Sequence, residues 1–223
     1  MLLLCLPIGL ASPHRPVSAT TRLFLIRHAL VEPSARATLY GAADVALCAL
    51  ALAADAERYR WLARRLPVPA RWVVSPLART RHTAAAIFAA GYPETELETE
   101  PRLVEQHLGA WQGISHEELT QRVTQPPHPF WPHAAEERPP GGESIADVIA
   151  RVGPALEDLA HRHAGEDVVV VAHGGTIRAA IAHAMGLSPA QALCFSVKNL
   201  SLTRLERHGG HWRVASVNEE PFA

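Results

Sequence analysis

Three cysteines in 223 residues are too few and too scattered to staple a scaffold. Cys5, Cys48 and Cys194 form no CxxC pair, so neither a disulfide framework nor a zinc–thiolate site is implied. A reducing compartment is the simplest reading. Long apolar runs are missing too. No segment reaches 18 apolar residues, which argues against an integral membrane protein. The nearest approach is Leu2 to Leu10, but no Lys or Arg precedes it, so the positive region that opens a secretory signal is lacking. Residues 1–20 therefore read as an N-terminal extension, disordered or weakly signal-like. The expected location is cytoplasmic, with the periplasm as the alternative should residues 1–20 act as a signal. A charge excess is absent as well, the formal net charge being −1. A general nucleic-acid binder normally carries a basic surplus, so nucleic acid is not the expected partner, while a local basic pocket stays open.

Lysine is nearly missing. Lys198 stands alone against 20 arginines, beside 13 histidines. Such an excess fits a G+C-rich coding sequence, but arginine also grips planar anions bidentately, which lysine does not. The rest is a globular composition, 48% hydrophobic and 19% charged, in a chain long enough to bury a core without disulfides or metals. Short apolar runs at 22–26, 72–74, 97–99 and 167–172 read as buried strands. Between them, 46–66, 79–90, 144–164 and 176–185 read as helices, with a short polar helix near 115–122 and a loop over 29–45. Residues 192–197, 200–206 and 211–217 read as further strands, two of them a hairpin around Gly209-Gly210. The alternation predicts one three-layer α/β/α domain over 21–223 with a mainly parallel central sheet. An insertion is expected around 106–142, with its Pro/His/Trp-rich part at 126–140.

In such sheets ligands bind beyond the carboxyl ends of the strands. The first strand ends in Arg27-His28, the second near Ser75 with Arg79 four residues on, and the VVVVA strand in His173 before Gly174-Gly175 and a helix start. Two histidines and two arginines converging on one edge suit a phosphoryl group. Guanidiniums hold its oxygens in bidentate fashion, a helix N-terminus adds N–H donors, and an imidazole can attack phosphorus. No metal or other cofactor is required for this chemistry. A leaving alkoxide needs a proton, and Glu105, in a non-helical stretch flanked by apolar residues, is the best candidate donor.

These residues, taken with Leu25-Ile26-Arg27-His28, Ser75-Pro76-Leu77-Ala78-Arg79-Thr80, Leu103-Val104-Glu105, Gly109-Ala110-Trp111-Gln112-Gly113, Gly142-Glu143-Ser144 and Val171-Ala172-His173-Gly174-Gly175, resemble the histidine phosphatase (phosphoglycerate mutase-like) superfamily in order and spacing. The resemblance runs from about residue 22 to residue 205. It implies a phosphoglycerate mutase-like fold and a phosphomonoesterase of histidine acid phosphatase type. It implies His28 as nucleophile, Arg27 and Arg79 as phosphoryl ligands, His173 and Gly174 at the same group, and Glu105 as proton donor and later base. Tyr40, Gly41 and Asp44 resemble the alpha-ribazole phosphatase-type branch. Ala29 stands where the family usually has Gly, and Ser34 where it often has Asn; Ser34, Tyr40 and Gly41 join the expected substrate contacts.

The expected reaction is hydrolysis of a small phosphorylated metabolite, alpha-ribazole phosphate being one option, away from any membrane. A mutase-type phosphotransferase and a catalytically idle binder of phosphorylated ligands are the alternatives. The oligomeric state stays open, a homodimer included. Arg81 and His82 read as surface residues. His107, His116, His128, His133, His161 and His163 lack metal-ligand spacing. Trp111 reads as a core anchor. For Phe130 and Trp131, loop packing and the substrate mouth are equal readings.

Overall fold

The computed structural model describes residues 19–221, so the reading of residues 1–20 as an extension falls almost entirely outside the described residues. In chain order the elements are β1 (Thr21–Arg27), α1 (Pro33–Arg36), α2 (Ala49–Ala54), α3 (Ala56–Arg65), β2 (Arg71–Val74), α4 (Ala78–Ala89), β3 (Leu97–Thr99), α5 (His116–Thr120), α6 (Ile145–Arg162), β4 (Asp167–Ala172), α7 (Gly174–Met185), α8 (Pro189–Ala192), β5 (Leu202–His208) and β6 (His211–Glu219). The strands form one six-stranded sheet in the order β3-β2-β4-β1-β5-β6. The β1–β4, β4–β2 and β2–β3 pairs are parallel, and β5 and β6 extend the sheet antiparallel beyond β1.

The apolar runs explain why the sheet is covered on both sides. Neighbouring residues on a strand point to opposite faces, and in β1 both sets are apolar. Leu23 and Leu25, with Val168 and Val170 of β4, pack against Val152, Leu156 and Ile177 of α6 and α7. Phe24 and Ile26, with Val169 and Val171, pack against Leu62, Ala84 and Ile87 of α3 and α4. Each such side chain contributes about 1.5–3 kcal/mol on burial, so slipping the β1–β4 register would unseat two cores at once. The predicted three-layer, mainly parallel α/β fold is the fold observed. No helix among the described residues is long and apolar enough to cross a membrane.

Local differences have local causes. The helix expected over 46–66 is two helices, α2 and α3, meeting at Asp55. The loop expected over 29–45 carries the single turn α1, opened by Pro33. The strand expected over 192–197 does not form. Ser188 accepts from Gln191 N, and the Gln191 side chain reaches back to the Ser188 N–H, so a capping box starts α8 and leaves the following residues irregular. Helix α6 begins on a second capping box, Ser144 with Asp147.

Candidate active site

His28 is the first residue past β1, and its N–H extends the parallel ladder by one bond to Ala172 O at 2.9 Å. Its ring is 1% exposed. Nδ1 lies 2.7 Å from Ala29 O. A carbonyl only accepts, so Nδ1 carries the proton, and the neutral ring keeps its lone pair on Nε2. Burial, then the charges of Arg79 and Arg27, hold its pKa well below the ordinary histidine value. Asn199 Nδ2 donates to His28 O at 2.7 Å. Ala29 N donates to Thr83 Oγ1 on α4 at 3.0 Å, which fixes the turn from below.

His173 follows β4 and caps α7. It is fully buried, 5.2 Å from His28 between ring centroids. Arg79 Nε donates to its Nδ1 at 3.2 Å, so the neutral ring donates from Nε2 to Ser75 Oγ at 2.7 Å. Burial and then the neighbouring His28 and Arg79 push its pKa well down. Arg79, also fully buried, donates to Ala43 O at 2.5 Å and Gly41 O at 2.8 Å, with Tyr40 against its guanidinium. Gly41 is at φ +39°, and a Cβ there would come within 2.6 Å of Gln106 O, so only glycine lets the loop present that carbonyl. Arg27 donates from Nη1 to Val197 O at 2.6 Å, and its Nε is buried without a hydrogen-bond partner among the described residues. That orphan donor lies at the start of α7, 3.4 Å from where a Cβ on Gly174 would stand.

Glu105 meets the helix start that His173 caps. Its Oε2 accepts from Gly175 N, in the first turn of α7, at 3.0 Å, and its Oε1 from Gln106 N at 2.9 Å. A Cβ on Gly175 would sit 2.4 Å from Glu105 Oε1, and one on Gly174 would sit 3.4 Å from Arg27 Nε. The two glycines thus let a carboxylate and a guanidinium close on the helix start. A cavity of about 320 Å³ opens here, walled by Arg27, Tyr40, Gly41, Glu105, Gly174 and Arg178 among others. A larger cavity, about 850 Å³, lies where β2 and β4 begin, around Arg71, Glu98 and Asp167. It is at the wrong end of the strands for this chemistry.

The family model described as the histidine phosphatase superfamily (branch 1) matches residues 23–220. The chain belongs to that superfamily. It is 35% identical over 173 residues to a glucosyl-3-phosphoglycerate phosphatase of Mycolicibacterium vanbaalenii, covering 74% of this chain and 75% of the relative. A solved mycobacterial glucosyl-3-phosphoglycerate phosphatase superposes with a TM-score of 0.74 at 28% identity, over 89% of this chain and 99% of that one. The alpha-ribazole phosphatase of Shigella flexneri gives 0.72 at 22% identity, over 89% and 96%, a likeness of fold.

Of the residues expected at a histidine phosphatase site, the structure gathers Arg27, His28, Arg79, Glu105, His173, Gly174, Tyr40 and Gly41. Ser34 is not among them. It sits exposed on α1, off the cavity wall, while Arg36 of the same turn lies on that wall. Asp44 ties the Tyr40–Gly41 loop to α4 by accepting from Ala78 N at 3.0 Å. Trp111 is buried in a small core with Leu39, Leu108 and Leu119, and Trp131 lines the cavity whereas Phe130 is exposed. Arg81 and His82 are exposed. Sequence reasoning missed Ser75 and Asn199 as supports of the two histidines, and Arg178 on the wall. Arg178 was detectable, because it follows Gly174 by four residues on one helix and so shares its face.

The buried histidines set a pH dependence. His28, His173 and His133 all hold pKa values below the ordinary one, burial being the largest cause in each. The unfolded chain takes up these protons near pH ~6.5, so it binds more protons than the fold does, and stability rises with pH. The melting temperature is therefore expected to fall as pH drops from 7 to 5. Carboxylates such as Glu143, lowered from 4.5, lose their contribution only at more acid pH. Thermal melts across pH 5–7 check this, and a flat profile there would refute it.

Proposed function

We propose that the protein is a metal-independent phosphatase that hydrolyses a small phosphomonoester through a phosphohistidine on His28. The observation that carries the reading is the His28 ring itself, neutral, with Nδ1–H tied to Ala29 O and the Nε2 lone pair left free beside Arg27 and Arg79. Nε2 attacks phosphorus and the ester P–O bond breaks. Arg27, Arg79 and His173 take up the charge that develops on the phosphoryl oxygens, and the leaving oxygen takes a proton from Glu105. Water then attacks the phosphohistidine, passes its proton to the Glu105 carboxylate, and frees phosphate and the His28 ring. Positioning and charge stabilisation supply the rate.

Relatives named as phosphatases of small phosphate esters support this reading, as does a cavity of about 320 Å³, roomy enough for such an ester. The neutral net charge supports a small ester over a polyanion. Incubation with a ³²P-labelled phosphomonoester, followed by rapid denaturation, is expected to leave acid-labile, alkali-stable label on the His28 peptide. Inorganic phosphate is expected as product in proportion to substrate consumed. Label on another residue, or an isomerised ester in place of free phosphate, would overturn the assignment. A substrate panel including alpha-ribazole phosphate and glucosyl-3-phosphoglycerate then ranks the leaving groups.

A further inference from the structure

We propose that His133 is a positioning residue, whose neutral ring latches the indole of Trp131 and so fixes the wall of the substrate cavity beside Arg178. The inference rests on the phosphatase reading above for its kinetic effect, and on the geometry of residues 128–133 for the latch itself.

His133 is 1% exposed, and both of its ring nitrogens are engaged. Trp131 Nε1 donates to His133 Nε2 at 3.1 Å, and His133 Nδ1 lies 2.8 Å from Ala134 O. An indole N–H only donates and a carbonyl only accepts. The proton therefore sits on Nδ1, the lone pair points from Nε2 to Trp131, and the ring is neutral. Burial, the largest influence, favours that form, while the Ala134 carbonyl and the Glu137 charge pull the other way. A protonated ring would carry a hydrogen on Nε2 and could not accept the indole N–H.

The chain around this pair is held locally. Trp131 and His133 flank Pro132, whose ring fixes its own φ. His128 N donates to His133 O at 3.3 Å, Trp131 N to His128 O at 3.0 Å, and Phe130 N to His128 Nδ1 at 3.2 Å, so the segment closes on itself. The His133 ring packs against Trp111, 5.5 Å between centroids, and Trp111 belongs to the small core of Leu39, Leu108 and Leu119. The body of the protein thus anchors the imidazole, and the imidazole anchors the indole. Phe130, one residue before Trp131, is 70% exposed, so the apolar character of the loop does not by itself bury its rings.

The latched indole stands where it affects the site. Trp131 lines the cavity of about 320 Å³. Its ring centroid lies 4.9 Å from the Arg178 guanidinium carbon, so the indole covers one face of that charge. Arg178 Nε donates to Phe195 O at 2.9 Å. Arg178 Nη1 lies 3.1 Å, and the Arg27 guanidinium carbon 3.4 Å, from the position a Cβ on Gly174 would occupy. The indole therefore braces a guanidinium that stands beside the phosphoryl ligand Arg27 at the start of α7. An indole released from His133 regains its other rotamers, and the wall and the cover over Arg178 go with it. The side-chain hydrogen bonds of His28, Arg79, Glu105 and His173 involve neither Trp131 nor His133, so the loss falls on binding more than on the chemical step.

The test uses the full chain, 4-nitrophenyl phosphate, and two substitutions that separate the two bonds of the ring. Glutamine reaches the Nε2 position and can accept from Trp131, whereas asparagine reaches only the Nδ1 position and can donate to Ala134 O. His133→Asn is expected to raise KM about 3- to 10-fold, the range for one lost hydrogen bond, with kcat changed much less. His133→Gln is expected to stay near wild type in both. Trp131→Phe, which keeps a ring and loses the N–H, is expected to match His133→Asn and carries the test should the asparagine variant fail to fold. In ¹H–¹⁵N spectra the Trp131 indole resonance, identified by its absence from Trp131→Phe, is expected to move upfield in His133→Asn and to hold its place in His133→Gln. A glutamine variant as impaired as the asparagine one would make the Ala134 bond or the bulk of the ring the cause, and overturn the latch. A fall in kcat with KM unchanged, or an indole resonance that ignores both substitutions, would overturn it too. Wild-type protein that neither turns over nor forms a phosphoenzyme with any phosphomonoester would overturn the phosphatase reading, and the indole resonance would then decide the latch by itself.

Discussion

Replacing His28 with asparagine is expected to cost on the order of 10⁴-fold or more in kcat, and to abolish covalent labelling. Asparagine is the sharper choice than alanine. Its side-chain N–H₂ can take the place of Nδ1 and donate to Ala29 O, the bond now measured at 2.7 Å. The pocket therefore keeps its geometry, including the Asn199 bond to the His28 carbonyl, and loses only the lone pair. Two further readouts separate loss of chemistry from loss of structure. Inorganic phosphate should still bind, because Arg27, Arg79 and His173 remain in place. The acid decline in melting temperature should also become shallower, because one of the buried neutral rings that resists protonation is gone. An asparagine variant that still turns over at more than about one hundredth of the wild-type rate, or still carries label, would remove His28 from its assigned role.

The parts of this site legible in the sequence are those fixed by regular structure. His28 and His173 each end a strand whose residues are apolar on both faces, the pattern of a central parallel strand. Once those strands are placed, their carboxyl ends meet by geometry. Glu105 was singled out as a carboxylate in a non-helical stretch flanked by apolar residues, and the motif around it, which resembles a family pattern, supplied its role. The stretch after α8 was misread because Ala192–Val197 is apolar enough for a strand. The Ser188–Gln191 capping box that sets it otherwise was visible in the sequence. The difference matters chemically. A paired strand spends its carbonyls on the ladder, whereas the irregular segment leaves Phe195 O and Val197 O free to hold Arg178 and Arg27. Asn199 had no sequence signal. It reaches His28 because Leu200, at φ +60°, turns the chain back under β1, a non-glycine residue kept in a conformation that costs of order 1 kcal/mol or more.

Glu105→Gln separates the two steps of the proposed reaction. With an alkyl phosphate the leaving oxygen needs a proton, and kcat/KM is expected to fall about 10²- to 10⁴-fold, the range for a positioned acid. With 4-nitrophenyl phosphate the leaving group departs without help, so phosphorylation of His28 should stay fast. Dephosphorylation still lacks its base. The variant should therefore release one equivalent of nitrophenolate in a burst, turn over slowly afterwards, and hold more phosphoenzyme at steady state than the wild type. The geometry adds a constraint on interpretation. The carboxylate accepts from both Gly175 N and Gln106 N, and an amide can accept with its oxygen only, so glutamine must give up one of these bonds. Loss of a single exposed or half-buried hydrogen bond lowers stability by about 1 kcal/mol, too little to mimic the burst. A purely structural role for Glu105 would slow both esters alike and leave no accumulated phosphoenzyme, and that result would return the proton to water or to another group.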